Sequence, residues 1–226
     1  MMGESTLNSY TYRELWHKSP SFLLARLFSD VFNPLIIPPV TYILVYWGLN
    51  ITLHSFIQVL LIVTIFFTVL PFGIVYYFKQ KHYIQNFDIT ERAERIRPFF
   101  VIIFSYATGL LTFFIWFHSP DDLPVYIALC YIINAFIGVL ITTKWKISVH
   151  SASIATFTAI IIYLHNYHFF SHDFSYADIL VWSSLLLIPI LMWSRIKLNL
   201  HTFIQTIAGA IIGFFITFLE LSLMIG

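Results

Sequence analysis

SRIKLNLHTFIQTIAGAIIG, residues 194–213, joins the end of one apolar run to the start of another. Ser194 precedes Arg195, His201 follows six residues on, and Gln205 lies one helical turn later. In lipid such a polar cluster is costly unless it is used, so the stretch marks both a membrane mouth and a functional centre. Its flanking runs, 178–193 and 202–225, approach the roughly 20 residues that cross a bilayer. Working outward, similar runs occupy 34–49, 55–78, 98–117, 124–143 and 147–164. The expected fold is all-α, a polytopic membrane helix bundle of about seven transmembrane helices; the alternative is six plus a re-entrant or interfacial helix. A content of 59% hydrophobic and 10% charged residues excludes an ordinary soluble globule. Pro34, Pro38, Pro39 and Pro71 predict kinks whose freed carbonyls neighbouring helices satisfy.

The whole chain, 1–226, reads as a single integral membrane domain. Its segment 1–33 is interfacial: Thr11 and Glu14 form a capping box, Ser19 and Pro20 start a helix, and Phe22, Leu23, Leu27 and Phe28 oppose Arg26 as on an amphipathic helix lying in the interface. No removable signal peptide is expected. The single cysteine, Cys130, sits in an apolar run and offers neither a disulfide nor a Cys-based metal site. Threaded through seven spans, all 12 Lys and Arg residues fall on the N-terminal face. Asp121, Asp122, Asp173 and Asp178 fall on the other. The positive-inside rule then puts the N-terminus and the motif-bearing face in the cytoplasm and the C-terminus outside.

Three loops open on that cation-rich face. The first, DITERAERIRPFF from Asp88, carries Arg92, Arg95 and Arg97. The second, KWKISVHSA from Lys144, carries Ser148 and His150, and the third is the opening stretch. Guanidinium forks bind phosphate bidentately and helix N-termini add oriented amides. Of two histidines, one can attack phosphorus and the other protonate the leaving oxygen. The residues thus point to a pocket for a tetrahedral oxyanion. The plainer reading makes each Arg a headgroup contact and each His a helix cap. On the opposite face, His165, His168, His172 and Asp173 have metal-ligand spacing, but HNYHFFSHDFSY reads better as an aromatic interfacial turn. Asn134 is expected to hydrogen-bond between helices.

Over residues 85–215 the sequence resembles the type 2 phosphatidic acid phosphatase superfamily of membrane lipid phosphatases. That family's motifs are K-x6-RP, PSGH and SR-x5-H-x3-D. Ser194, Arg195 and His201 match the third, followed by Gly209 and Gly213. Ser148 and His150 match the second, and Arg97 and Pro98 the first. The resemblance implies that His201 forms a phosphohistidine and that His150 protonates the leaving lipid oxygen. It further implies that Arg97, Arg195, Ser148 and the Val149 amide hold the phosphoryl oxygens, with no cofactor and no metal.

Four positions depart from the pattern. Thr90 stands where the motif lysine falls, with Arg92 the expected substitute. Ile147 and Val149 replace the proline and glycine of the second motif. Gln205 replaces the aspartate that orients the nucleophile: its carbonyl can accept from a ring N–H but supplies no charge. The expected activity is hydrolysis of a lipid phosphomonoester or diphosphate on a polyprenyl or glycerolipid. The alternatives are a weak or inactive lipid-phosphate binder and a phosphoryl or lipid transferase. The expected partners are a membrane lipid phosphate and the bilayer, with no nucleic acid.

Overall fold

The computed structural model describes residues 19–49, 52–116, 123–170 and 176–225. Among them are eight helices and no strand: α1 Pro20–Val31, α2 Ile37–Leu49, α3 Leu53–Gln80, α4 Arg92–Trp116, α5 Leu123–Thr142, α6 Val149–Asn166, α7 Ala177–Lys197 and α8 Phe203–Met224. Helices α3, α4, α5, α7 and α8 are each long and apolar enough to cross a bilayer. The architecture is that of a membrane helical bundle. The capping box of Thr11 and Glu14, together with Arg13, Lys18, His118, Asp121, Asp122, His172 and Asp173, lies outside the described residues.

Two of the seven expected spans, the first and the fifth, are not among these five. The first is a helix of only 13 residues, because Pro34 falls in a turn where the Leu35 amide bonds Asn33 Oδ1 (3.0 Å), and Pro38 and Pro39 occupy the first turn. Prolines fit a first turn, whose amides have no partner to lose, whereas in an interior each leaves a carbonyl to be satisfied from elsewhere. At about 1.5 Å per residue, α2 is about 20 Å long, short of a hydrocarbon core of about 30 Å. The fifth, α6, is too rich in Ser and Thr to join the strongly apolar helices. It is instead enclosed by its neighbours, with buried residues along nearly its full length.

Pro71 behaves as its chemistry requires. Before it, α3 widens into a π turn over Thr64–Val69, in which Leu70 N–H reaches back five residues to Ile65 O. In that register Phe66 O would need an amide from residue 71, which proline lacks. Ser105 Oγ donates to it from α4 at 2.6 Å.

The pairing of α6 with α8 sets the site. A Cβ on Gly209 or Gly213 would come within 3.0 Å of the backbone of Ser148 or Ala152, so this small-x3-small pair lets the two helices touch main chain to main chain. Thr156 Oγ1 donates to Gly213 O across the contact (3.3 Å). The N-termini of α6 and α8 therefore lie side by side, bonded by Ser148 N–H to Gln205 O at 3.1 Å. Helix α1 packs on α7, burying Ala25 and Ser29 and leaving Leu24, Leu27 and Val31 exposed.

Candidate phosphate site

Helix α7 ends in a reversal through Asn199, whose φ of 55° an asparagine tolerates. Arg195 O there accepts from the Leu200 and His201 amides at 3.1 and 3.4 Å. This turn converts the Arg-x5-His spacing into proximity. Thr202 then caps α8: its Oγ1 accepts from Gln205 N–H (3.4 Å), and Gln205 Oε1 accepts from Thr202 N–H (3.2 Å). This is a T-x-x-Q capping box.

The same Oε1 lies 3.0 Å from His201 Nδ1. A main-chain N–H already donates to Oε1, so the amide oxygen and not its NH2 group faces the ring. We therefore assign the proton to Nδ1 and the lone pair to Nε2. Nε2 is 3.4 Å from Arg95 Nη2. His201 is 7% exposed, and its pKa is pushed down to about 2, first by burial and then by the Arg95 and Arg195 charges.

Arg95 is fixed from behind. Its Nε donates to Ile89 O (2.7 Å) and its Nη1 to Ile147 O (3.0 Å). Ile89 holds a φ of 45°, a strained conformation for a β-branched residue, and presents that carbonyl. On the other side His150, second residue of α6, puts Nε2 3.4 Å from Arg195 Nη1. Arg195 Nη1 also bonds Ser29 Oγ and pairs with Asp88 Oδ1 at 3.0 Å. Asp88 Oδ2 takes Arg26 Nη1 from α1 at 2.6 Å. Burial alone would raise the Asp88 pKa, but Arg195 and Arg26 outweigh it and hold the carboxyl below its usual range.

These groups form the polar end of a cavity of about 570 Å³, whose remaining wall is mostly apolar, with Phe99, Ile102, Tyr106, Ala135 and Ile212 among its residues and Asn134 as a polar exception. No family model, curated protein or solved structure matches the chain.

Of the expected site residues, His150, His201, Arg195 and Val149 line the cavity. Gln205 stands behind His201. Val149 has no positive φ, so the missing glycine imposes no strain. The Val149 and His150 amides begin α6 and have no carbonyl one turn behind them. Ser148 caps that helix instead of facing the cavity, its Oγ accepting from Ser151 N–H (3.3 Å) and Oγ–H (3.0 Å). Ser194 Oγ donates to Ala25 O at 2.7 Å and ties α7 to α1.

The assignment of Arg97 is corrected: it is exposed and off the cavity wall, while Arg95 is buried and on it. Two residues along a helix turn the side chain by about 200°, so only one of the pair can face inward. Arg92 is also exposed, bonding Thr143 O at 2.8 Å, and does not replace the motif lysine. Lys146 is better placed: its charge acts on His201, and burial followed by Arg95 lowers its own pKa to about 8. Asp88 and Lys146 had no sequence signal beyond their charge, whereas the Thr202–Gln205 box was readable. On the opposite face, His165 pairs with Asp178 at 3.1 Å. Among the described residues no three His, Cys, Asp or Glu side chains gather as metal ligands.

Arg95→Ala is expected to weaken inorganic phosphate or vanadate binding by about tenfold or more, the loss of one buried charge-assisted contact. Arg97→Ala is expected to change it by less than about twofold; equal effects from the two would contradict this geometry.

The depressed His201 pKa has a definite sign. A lowered value keeps the ring neutral above it, so the side chain holds a free lone pair across the physiological range. NMR of ring-labelled protein is expected to show no His201 titration between about pH 5 and 8, where an unperturbed histidine has its midpoint near 6.5. Vanadate, by offsetting the arginine charges, is expected to move that pKa upward. A midpoint near 6.5 in the unliganded protein would refute this account.

Proposed function

We propose that the protein is a metal-independent lipid phosphate phosphatase working through a phosphohistidine. The observation that carries this reading is the convergence of two buried histidine Nε2 atoms, each 3.4 Å from a guanidinium, on a cavity polar at one end and mostly apolar along the rest. Arg95, Arg195 and the Val149 and His150 amides receive the phosphoryl oxygens. His201 Nε2 attacks phosphorus as the bond to the lipid oxygen breaks, and His150 delivers a proton to that oxygen. In the unliganded site His150 Nε2 accepts from Arg195. Phosphate oxygens draw the arginine donors to themselves, freeing that nitrogen to take up a proton from solvent as the phosphate dianion binds. Having given that proton to the leaving oxygen, His150 deprotonates a water that attacks phosphorus; the phosphorus–nitrogen bond breaks, releasing inorganic phosphate and restoring neutral His201. The test is phosphate release from lipid phosphates in chelator-treated detergent, for the wild type beside His201→Ala; release unaffected by the substitution would end the enzymatic reading.

A second reading, a lipid-phosphate binder with little turnover, draws support from two features. Gln205 brings no negative charge to the ring that must become cationic, and Asp88 already occupies one donor of Arg195. Binding that persists while release is absent would favour it.

In either case α2 to α8 supply the membrane-embedded elements and α1 lies in the interface, its exposed leucines toward lipid. The cation-bearing ends of α3, α4, α5 and α7 then face the cytoplasm, and the C-terminus lies outside. A reporter fused after residue 226 is expected to register a non-cytoplasmic location, and a cytoplasmic signal would reverse the orientation.

A further inference from the structure

Beneath the phosphate site the cavity has a polar floor. Asn134 of α5 lines its deep end and donates from Nδ2 to Cys130 O (2.9 Å) and to Thr217 Oγ1 of α8 (2.8 Å). Thr217 in turn donates to Thr156 Oγ1 of α6 at 3.3 Å. The three helices are thus bonded together below the cavity, and Asn134 Oδ1 is buried there with no hydrogen-bond partner. An apolar chain cannot satisfy that oxygen, and passing it would mean parting the bonded plate.

One turn nearer the phosphate end, on the same face of α5, stands Gly138. It also lines the cavity, and a Cβ built on it meets nothing within 4 Å. It contrasts with Gly209 and Gly213, where backbone fills that space. Nothing in the helix packing requires glycine at 138; its lack of a side chain leaves room in the cavity.

We propose, building on the phosphatase reading, that this cavity is a gauge for lipid phosphates with a single tail, with Asn134 as its end stop and Gly138 as its width selector. Eleven residues of α4 separate Arg95, beside the histidines, from Tyr106 on the deep wall, a drop of about 16 Å. A zigzag chain of C–C bonds of about 1.5 Å advances about 1.25 Å per bond, so about 13 carbons span that depth. Volume gives a similar limit. A cavity of about 150 Å³ holds benzene, about 25 Å³ per carbon, so about 570 Å³ holds about 23 non-hydrogen atoms. A phosphate ester head takes five of these and leaves about 18 carbons. One alkyl or short prenyl tail of about 13 to 18 carbons fits. Two long acyl tails and a glycerol do not.

Selection works by exclusion, since a tail leaving the bilayer gains little from moving between two apolar media. The probes are non-hydrolysable n-alkyl phosphonates from hexyl to octadecyl, at one fixed mole fraction in detergent micelles, with binding read by displacement of vanadate. Wild type is expected to bind chains up to about 16 carbons and to lose about tenfold beyond. A phosphatidate phosphonate with two 14-carbon acyl chains is expected to bind at least about tenfold more weakly than tetradecyl phosphonate. Gly138→Phe fills about 150 Å³, so the cut-off should shorten by about six carbons while hexyl phosphonate binding stays within about twofold. Asn134→Ala should move the cut-off the other way, by two or three carbons.

Equal binding of one-tailed and two-tailed ligands, or a cut-off unmoved by both substitutions, would overturn the gauge. So would a uniform loss at every chain length in Gly138→Phe. Because the phosphonates need no turnover, a protein that binds them with this cut-off yet releases phosphate independently of His201 would leave the gauge standing and remove the phosphatase.

Discussion

Replacing His201 by alanine is expected to lower phosphate release by about 10⁴-fold or more, the scale seen when a nucleophile or its base is removed from a catalytic set. Asp88, the carboxylate on the cavity wall, has its two oxygens paired with Arg195 and Arg26. His150 approaches from the opposite side and has its Nε2 against Arg195, and among the described residues no Cys, Ser or Thr lines the cavity. Folding should survive, because the α8 cap is made by the Thr202 side chain and the Gln205 amide, neither of which involves the imidazole. Arg95 loses one neighbour at 3.4 Å but keeps its bonds to Ile89 O and Ile147 O. The variant should therefore still bind vanadate or an alkyl phosphonate within about tenfold. The measurement is release per minute from a panel of lipid phosphates, beside binding of the inert ligand. Lost release with retained binding marks a nucleophile, and a parallel loss of both marks a collapsed site.

Gly213→Leu is expected to have the second large effect, although residue 213 does not touch the phosphate end. Its Cβ would stand 2.9 Å from Ala152 C and Cα and closer still to Ala152 O, atoms of a helix backbone that cannot step aside. Helix α8 must move off α6. Overpacking of this kind costs about 1–3 kcal/mol and more where backbone is involved. His150 rides on the first turn of α6 and His201 on the residue before the α8 cap, so the separation passes directly to the distance between them. A misplacement of about 1 Å can cost about 10²-fold in rate. Thermal unfolding in detergent and phosphate release are expected to fall together. Leu219→Ala is the control: that side chain of α8 is exposed and off the cavity wall, so neither measurement should drop. Equal losses from both substitutions would mean that α6–α8 contact does not set the site.

Part of this site is legible in the sequence. The SR-x5-H spacing, the Ser148 and His150 pair and the arginine-rich loop lie on three separate apolar hairpins, and hydropathy alone brings their loops to one face. Gln205 read as a deficit because only its missing charge was visible. In place it holds the His201 tautomer through an oxygen pinned by Thr202 N–H, a role its position in a T-x-x-Q box could have suggested. In the sequence, its place before Pro98 favours Arg97 over Arg95. A helix of 3.6 residues per turn offers no such preference, and which of two arginines faces inward depends on where α4 meets its neighbours. Asp88, Arg26 and Ser29 gather on Arg195 from separate segments, and no local pattern joins them.

The sequence by itself determined that this chain is built of apolar helices, that its cations gather at one end, and that two histidines and several arginines lie in loops there. These follow from composition and from periodicity along the chain, which are local. The tertiary structure decided that Arg95 and not Arg97 joins the histidines, that Ser148 and Ser194 serve as cap and tie, and that Asp88 is the counter-ion of Arg195. Those outcomes depend on helix rotation and on the close approach of α6 to α8. Both are set by contacts between residues far apart in the chain, through glycines whose importance lies in what packs against them.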